Sequence, residues 1–294
     1  MKWLSTKKAK FIFLVPTLVI YIIFMIVPIF IAVYYSFTEY TGLGNAAFTG
    51  LDNYISMFHD RLFIIAMKDT MIVLICSFLI LLAGSFLIAL LLDINFKGNA
   101  FVKSVIFSPY VIAPIIIGVI WGYILNPNFG LLNSFLRSVG LDGLAIEWIG
   151  GRRWSPVSIA IVFGWQVLGF HATIFLAGMK TIPTDIYEAS AIDGVNGLQK
   201  ILLITIPMLK ETIIINIVLI ITGVFKIYEL VYQLTGGGPS HLSEVLVSYM
   251  YFTVFTSRRY GYGMAIAVII LIISVTASFS YIRISSRKNR KEKA

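Results

Sequence analysis

The chain has 294 residues, 59% of them hydrophobic and only 13% charged, with a formal net charge of +9. Charged residues make up about a quarter of an ordinary soluble domain, so a water-soluble globule of this size is excluded. One cysteine, Cys76, excludes a disulfide framework and a cysteine-based metal site.

Six apolar blocks follow one another, at 11–33, 70–92, 104–125, 157–179, 211–233 and 262–282. Each meets the ~20 residues that a helix needs to cross a bilayer. Short alternating segments of the β-barrel kind are absent. The reading is an all-α membrane protein with six transmembrane helices. Ahead of the first block stand Lys2, Lys7, Lys8 and Lys10, as in a signal peptide. Its apolar stretch exceeds a signal's core, however, and Tyr34, Tyr35 and Phe37 follow where a small-residue cleavage site would lie. The block is therefore read as an anchor. In 39–69, Gly42, Gly44 and Gly50 mark turns, Asp52 is placed to cap a helix, and 61–69 reads as an interfacial helix leading into the second block. Pro109 and Pro114 predict a kinked third span buried in protein. Asn126-Pro127-Asn128, Gly130 and Gly150-Gly151 punctuate the loop 126–156, and Gly236-Gly237-Gly238-Pro239 opens the loop 234–261. No loop is long enough for a separate domain and no internal repeat is found. The chain divides into a cytoplasmic segment 1–10, one six-span domain 11–282 and a basic tail 283–294.

Charge sets the orientation. With the N-terminus inside, the inner segments carry fifteen Lys and Arg: Lys2, Lys7, Lys8, Lys10, Lys97, Lys103, Lys180, Lys200, Lys210 and the six of 283–293. The outer segments carry seven: Arg61, Lys68, Arg137, Arg152, Arg153, Arg258 and Arg259. Short loops rich in Lys and Arg stay cytoplasmic, so both termini are expected inside a cytoplasmic (plasma) membrane that the chain crosses many times. The net positive charge then reflects topology, and nucleic acid is not an expected partner. The basic tail is either a stop-transfer flank or a contact for anionic lipid.

The inner loop from Pro183 to Pro207 is the informative stretch. Pro183 with Thr184 or Asp185 starts a helix, and Asp185 with Glu188 has capping-box spacing. Ala189, Ser190 and Ala191 would let another surface approach closely, and Gly194 suits a left-handed helix end. A second helix, about 196–206, breaks near Pro207. On composition alone an ordinary amphipathic loop helix is the preferred reading. The order Glu188-Ala189-Ser190, three residues, Gly194, nine residues, then Ile204-Thr205-Ile206-Pro207 nevertheless resembles the EAA loop of ABC importer permeases (Glu-Ala-Ala, Gly, Ile-x-Leu-Pro). Ser190 replaces the third Ala and Ile206 the Leu. Leu234 to Pro239, preceded by Phe225 to Glu229, is similar to the carbohydrate-type permeases of the maltose and glycerol-phosphate systems. So are Ser36-Phe37-Thr38, Phe48 to Tyr54 and Tyr260 to Ala265. The likeness runs from about residue 11 to 282, without the extra N-terminal spans and large periplasmic insertion of the maltose type. It implies a sugar permease working by alternating access. Its coupling helix (Glu188, Ala189, Ser190, Asp193, Gly194, Pro207) would dock on an ABC ATPase dimer that holds the ATP and Mg. The other partners would be a second permease subunit, a different polypeptide, and an extracellular sugar-binding protein. No cofactor is expected in this chain, and no catalytic residue.

Charges within a bilayer usually face a cavity or a partner. Lys226 and Glu229 are three apart on one face of the fifth block, ~24 Å above Lys210 at helical rise. A structural or interfacial ion pair is the alternative to a cavity rim. Trp165, Gln166, Tyr228 and His171, with Tyr110 and Trp121, are the other substrate-path candidates, because a sugar calls for aromatic platforms beside hydrogen-bonding groups. Taken singly, an aromatic in a span is more often packing, and a lone His more often bonds to a neighbouring helix. No phosphate-loop sequence occurs, which excludes the ATPase itself, and no hydrolase signature is found. A free-standing secondary transporter or channel should show acidic residues on broken helices or paired half-repeats, and neither is evident in the sequence.

Overall fold

The computed structural model describes residues 7–238 and 240–292, with side chains described from 11 to 283 apart from 12 and 239. Lys2, Pro239, Lys293 and the side chains of Lys7, Lys8, Lys10 and of the tail beyond Arg283 lie outside the described residues. The main helices are α1 (Phe13–Ser36), α2 (Asp52–His59), α3 (Arg61–Asp93), α4 (Asn99–Val111), α5 (Pro114–Ile124), α6 (Leu131–Ser138), α7 (Ser155–Met179) and α8 (Thr184–Ile192). They continue as α9 (Gly197–Met208), α10 (Lys210–Val224), α11 (Glu229–Thr235), α12 (Leu246–Thr256) and α13 (Tyr260–Glu292). Four of them, α1, α3, α7 and α13 as far as Arg283, are long and apolar enough to cross a membrane. The pairs α4–α5 and α9–α10 pass the same test but are bent by 96° and 71°, so the count is up to six.

The chain packs as two compact units. One runs through Arg61 and adds Met250–Leu271. Here the short antiparallel pair Thr38–Glu39 with Ala47–Phe48 is tied to α2 by Asn53, whose Nδ2 donates to the carbonyls of Ser36 (2.9 Å) and Thr38 (2.8 Å). Gly261 N–H donates to Tyr40 O at 3.0 Å, and a Cβ at Gly261 would lie 1.9 Å from Thr38 O. Tyr262 donates to Asp60 Oδ2 at 2.7 Å. The motifs at 36–38 and 48–54 are thus hydrogen-bonding partners, and 260–265 is bonded to the residues that follow each of them, Tyr40 and Asp60. Asp52 occupies the first turn of α2 and makes no side-chain cap; Leu51 precedes it at the N-cap.

The other unit comprises Leu62–Tyr249 and the chain from Ile272. Its core joins Val73 and Leu81 of α3 to Ile117 of α5, Ile159 and Val162 of α7, Ile220 of α10 and Val231 of α11. In lipid the hydrophobic effect does not drive helices together, so close approach through small residues takes over. Along α7, Gly164 lies against Ile80, Gly169 against the backbone of Ile106 and Phe107, and Gly178 against Thr212. The interfacial helix expected at 61–69 is the first part of the 33-residue α3.

Two spans are not straight helices: the third, where Pro109 and Pro114 predict a kink, and the fifth, where none was expected. The third is broken outright. Pro114 opens α5 and holds Ala113 extended (φ −57°, ψ 134°), as the residue before a proline must be. Ile112 is extended as well, and Gln166 of α7 donates to its carbonyl at 3.2 Å. The fifth stops at Val224, and Phe225–Tyr228 separate it from α11. Lys226 and Glu229 therefore do not share a helical face.

Gly169→Ala tests the α7 seam. Its Cβ would sit 2.1 Å from Ile106 O, backbone that has nowhere to go, so a loss of about 1–3 kcal/mol is expected. Gly122→Ala, in open space on α5, should be neutral or slightly stabilising. Thermal unfolding of the purified variants checks both, and equal midpoints would show that the seam is loose.

Candidate substrate cavity and coupling loop

The two breaks meet at a cavity of ≈ 370 Å³, within the size range of small-molecule sites. Its apolar wall includes Phe163, Val167, Ile227 and Leu230, and its polar groups are Tyr110, Gln166, Lys226, Tyr228 and Glu229. Gln166 lines the cavity while its amide holds the Ile112 carbonyl. Lys226 is exposed in the break, and Glu229 begins α11, where a carboxylate is favoured by the helix dipole. The two form no ion pair with each other. Tyr110 is stacked on Phe170, with ring centroids 4.5 Å apart and planes within 9°. Exposed apolar and aromatic surface beside an ammonium, a carboxylate and an amide suits a hydroxyl-rich ligand with C–H faces.

Trp165 and His171 lie elsewhere. Trp165 is half-exposed, with its ring edge-on to Trp121 (5.5 Å), and neither tryptophan lines the cavity. His171 is buried, with Nδ1 2.7 Å from Asn216 Oδ1. Asn216 Nδ2 is committed to Thr212 O (3.0 Å), which turns its oxygen to the ring and makes His171 Nδ1 the donor. The sequence offered no sign of Asn216, because the partner lies 45 positions away on α10.

The second region is the loop of α8 and α9. Pro183, not Asp185, occupies the N-cap of α8, so the expected Asp185–Glu188 capping box does not form. A box forms instead between Asn196 and Gln199 at the start of α9. Gly194 has φ +74° and ends α8, with Val195 N–H returning to Ser190 O at 3.1 Å. Glu188, Ala189, Asp193 and Pro207 are exposed, and Ile192 is 87% exposed. Ser190 is buried, its hydroxyl donating to Tyr187 O. Tyr187 locks the two helices together. The Lys200 ammonium lies 4.2 Å from its ring centroid, and its hydroxyl is 3.3 Å from Thr205 Oγ1. Sequence spacing gave no signal for that clamp.

The turn after α11 was legible only as a glycine run. Gly236 and Gly237 adopt positive φ, and the Glu244 carboxylate packs where a Gly237 side chain would be. Glu244 is itself buried, bonded to His241 at 2.9 Å and to Ser248. Asp69 is buried beside Thr70, whose Oγ1 accepts from Leu246 N–H.

Residues 81–291 match the family of binding-protein-dependent transport system inner membrane components, and the chain belongs to that family. It is 34% identical over 260 residues to the Probable ABC transporter permease protein YurN of Bacillus subtilis, covering 87% of this chain and 89% of the relative. It is 28% identical over 265 residues to the diacetylchitobiose uptake system permease protein NgcF of Streptomyces coelicolor (85% and 74%). The fold is similar to that of a bacterial ABC transporter involved in import of the acidic polysaccharide alginate, with TM-score 0.80 and 23% identity over 97% of this chain and 98% of the other. Broken helices, with Glu229 at a break, overturn the expectation that this hallmark of secondary transporters is absent. The family match, rather than helix continuity, is what separates the two classes.

If the cavity receives substrate, Lys226→Gln and Tyr228→Ala should each reduce uptake about tenfold or more, as expected for losing a ~1.4 kcal/mol contact. Assembly and basal ATP hydrolysis of the complex should stay intact. Trp165→Ala, outside the cavity, should cost less. Parallel loss of assembly and uptake in the cavity variants would mark these residues as packing.

Proposed function

We propose that the chain is the permease subunit of an ATP-driven, binding-protein-dependent importer that moves a sugar or oligosaccharide across the cytoplasmic membrane by alternating access. The observation that carries the reading is the α8–α9 loop. Its Glu-Ala-Ser…Gly spacing forms a short helix, closed by a left-handed glycine, that presents Glu188, Ala189 and Ile192 outward. A separate ATPase dimer carrying ATP and Mg docks on this face, so this chain needs no cofactor of its own and catalyses no reaction. A sugar substrate is supported by the mixed aromatic and polar cavity and by the diacetylchitobiose and alginate systems among the relatives. The further partners are an extracellular sugar-binding protein and a second, different permease polypeptide. In this reading α4–α5 complete one crossing and α10–α11 another, with α9 left outside the span, giving six spans with both termini and the α8–α9 loop cytoplasmic; the Lys and Arg distribution supports it.

Topology is checked by labelling single cysteines in a Cys76→Ser background: Ser240→Cys should react from outside and Ser286→Cys from inside. Reaction of both from one side would remove the six-span arrangement.

Coupling is checked in the loop. Nothing lies within 4 Å of a Cβ built on Gly194, so Gly194→Val acts through backbone strain alone, about 1 kcal/mol or more. Ala189→Trp would overpack a docking interface by ~1–3 kcal/mol. Both variants should insert normally, yet lose uptake, ATPase pull-down and stimulated hydrolysis together. Gly197→Ala, also in open space but without positive φ, should behave as the parent. Normal uptake and pull-down in Gly194→Val and Ala189→Trp would detach this loop from the ATPase and remove the chief support for the importer reading.

A further inference from the structure

A groove of ≈ 340 Å³ lies between the end of α3 and the start of α4, lined by Ile88, Leu91, Ile94, Phe96, Val102 and Ile106 among residues that are all apolar. Leu91, Ile94 and Phe96 remain 63%, 59% and 44% exposed, apolar surface that calls for an apolar occupant. The linker that forms its edge is held in place by Asn99, whose Nδ2 donates to Leu92 O (3.0 Å) and Ile94 O (2.6 Å). The groove is therefore a shaped feature of the fold.

Its polar margin has one sign. Lys97 directly follows Phe96 and Lys103 directly follows Val102, and neither has an acidic partner among the described residues. The only carboxylate between 84 and 111 is Asp93, and it is already paired with Lys180 at 2.6 Å. The first turn of α4 adds the positive end of a helix dipole beside Lys97. An apolar slot bordered by two cations, with its one carboxylate neutralised, fits an amphiphile with an anionic head.

We infer that this groove is a binding site for an anionic phospholipid, one acyl chain lying against Leu91, Phe96 and Val102 and the phosphate meeting Lys97 and Lys103. The inference rests on the cytoplasmic placement of residues 94–103 proposed above, where the anionic leaflet lies. A bound lipid would fill the α3–α4 corner and stiffen the linker between a membrane span and the broken third span.

The test uses the complete transporter reconstituted in nanodiscs of equal parts phosphatidylglycerol and phosphatidylcholine, then transferred to detergent. Retained lipid is counted by native mass spectrometry, and uptake is measured separately in liposomes of the same composition. The parent complex should retain phosphatidylglycerol about thirtyfold over phosphatidylcholine, the scale expected of two lysines at a charged surface. Lys97→Gln with Lys103→Gln should abolish that preference. Leu91→Trp, which fills an exposed part of the groove and keeps both lysines, should lower phosphatidylglycerol retention as well. Neutralising Lys288, Arg290 and Lys291 in the tail should leave it unchanged. Equal retention of the two lipids by the parent overturns the site, as does loss only in the tail variant. Full retention by Leu91→Trp also overturns it, since a diffuse field would then hold the lipid with no seated chain. An empty groove covered by a protein partner would appear as no retained lipid and counts against the site. A complex that imports its sugar yet retains no phosphatidylglycerol sinks the lipid site alone and leaves the importer standing.

Discussion

Inside a bilayer no water is at hand to satisfy a backbone carbonyl or amide, so any departure from helix has to be answered by another part of the protein. That constraint shapes the centre of this molecule. Pro114 forces Ala113 out of the helical region and turns the third span through 96°, freeing the carbonyl of Ile112. Gln166, projecting from α7, is the group that answers it. The same side chain forms part of the cavity wall, so the cavity exists where the chain could least easily have continued as helix. The α7 glycines allow this by bringing α4 and α10 close enough for one central helix to serve both.

The sequence was legible in proportion to how locally each feature is determined. Apolar length is a local property: the first, fourth and sixth blocks recur as long helices and the third as a bent pair, with ends shifted by a few residues. The second helix starts nine residues early at Arg61, and the fifth block is divided between α10 and α11. Gly194 was also legible, because a left-handed helix end selects glycine from its own backbone. The break at Phe225–Tyr228 was not, since no proline marks it and the three-residue spacing of Lys226 and Glu229 reads equally well as one face of an unbroken helix. It arises from the packing of α11 against α5, where Gly118 meets the Gln233 side chain. The capping box was misplaced for a simple reason. Asp185 has the right spacing to Glu188, but Pro183 takes the cap position and leaves Asp185 inside the helix.

Within the candidate site the legible residues were the ones whose type announces their chemistry. Gln166, Lys226, Tyr228 and Glu229 all reach the cavity, whereas Trp165, chosen for the same chemistry, turns to Trp121. Residue type does not say which way a side chain on a buried helix points, and α7 buries much of its circumference. His171 shows the complementary case. Its bond to Asn216 links α7 to α10, which is the helix-to-helix bond that a lone histidine in a span more often makes. Pairs across 45 positions leave no trace in local spacing.

One helix joins the two regions. The 15 residues of α10 begin at Lys210, just past the bend at Leu209 that follows the coupling loop, and end at Val224, one residue before the break that opens on the cavity. At helical rise this is a rod of about 22 Å. The Tyr187–Lys200 clamp makes the loop at its lower end a single body. In the proposed importer, a push or twist entering there would emerge at Lys226 and Tyr228 with the phase that the rod's length dictates. Each residue added to α10 would turn the upper end by about 100° and raise it by ~1.5 Å. The number of residues in this helix would thus act as a timing mark for that importer, fixing the side of Lys226 that faces the cavity, and it leaves far less freedom than the helix's uniform apolar composition conveys.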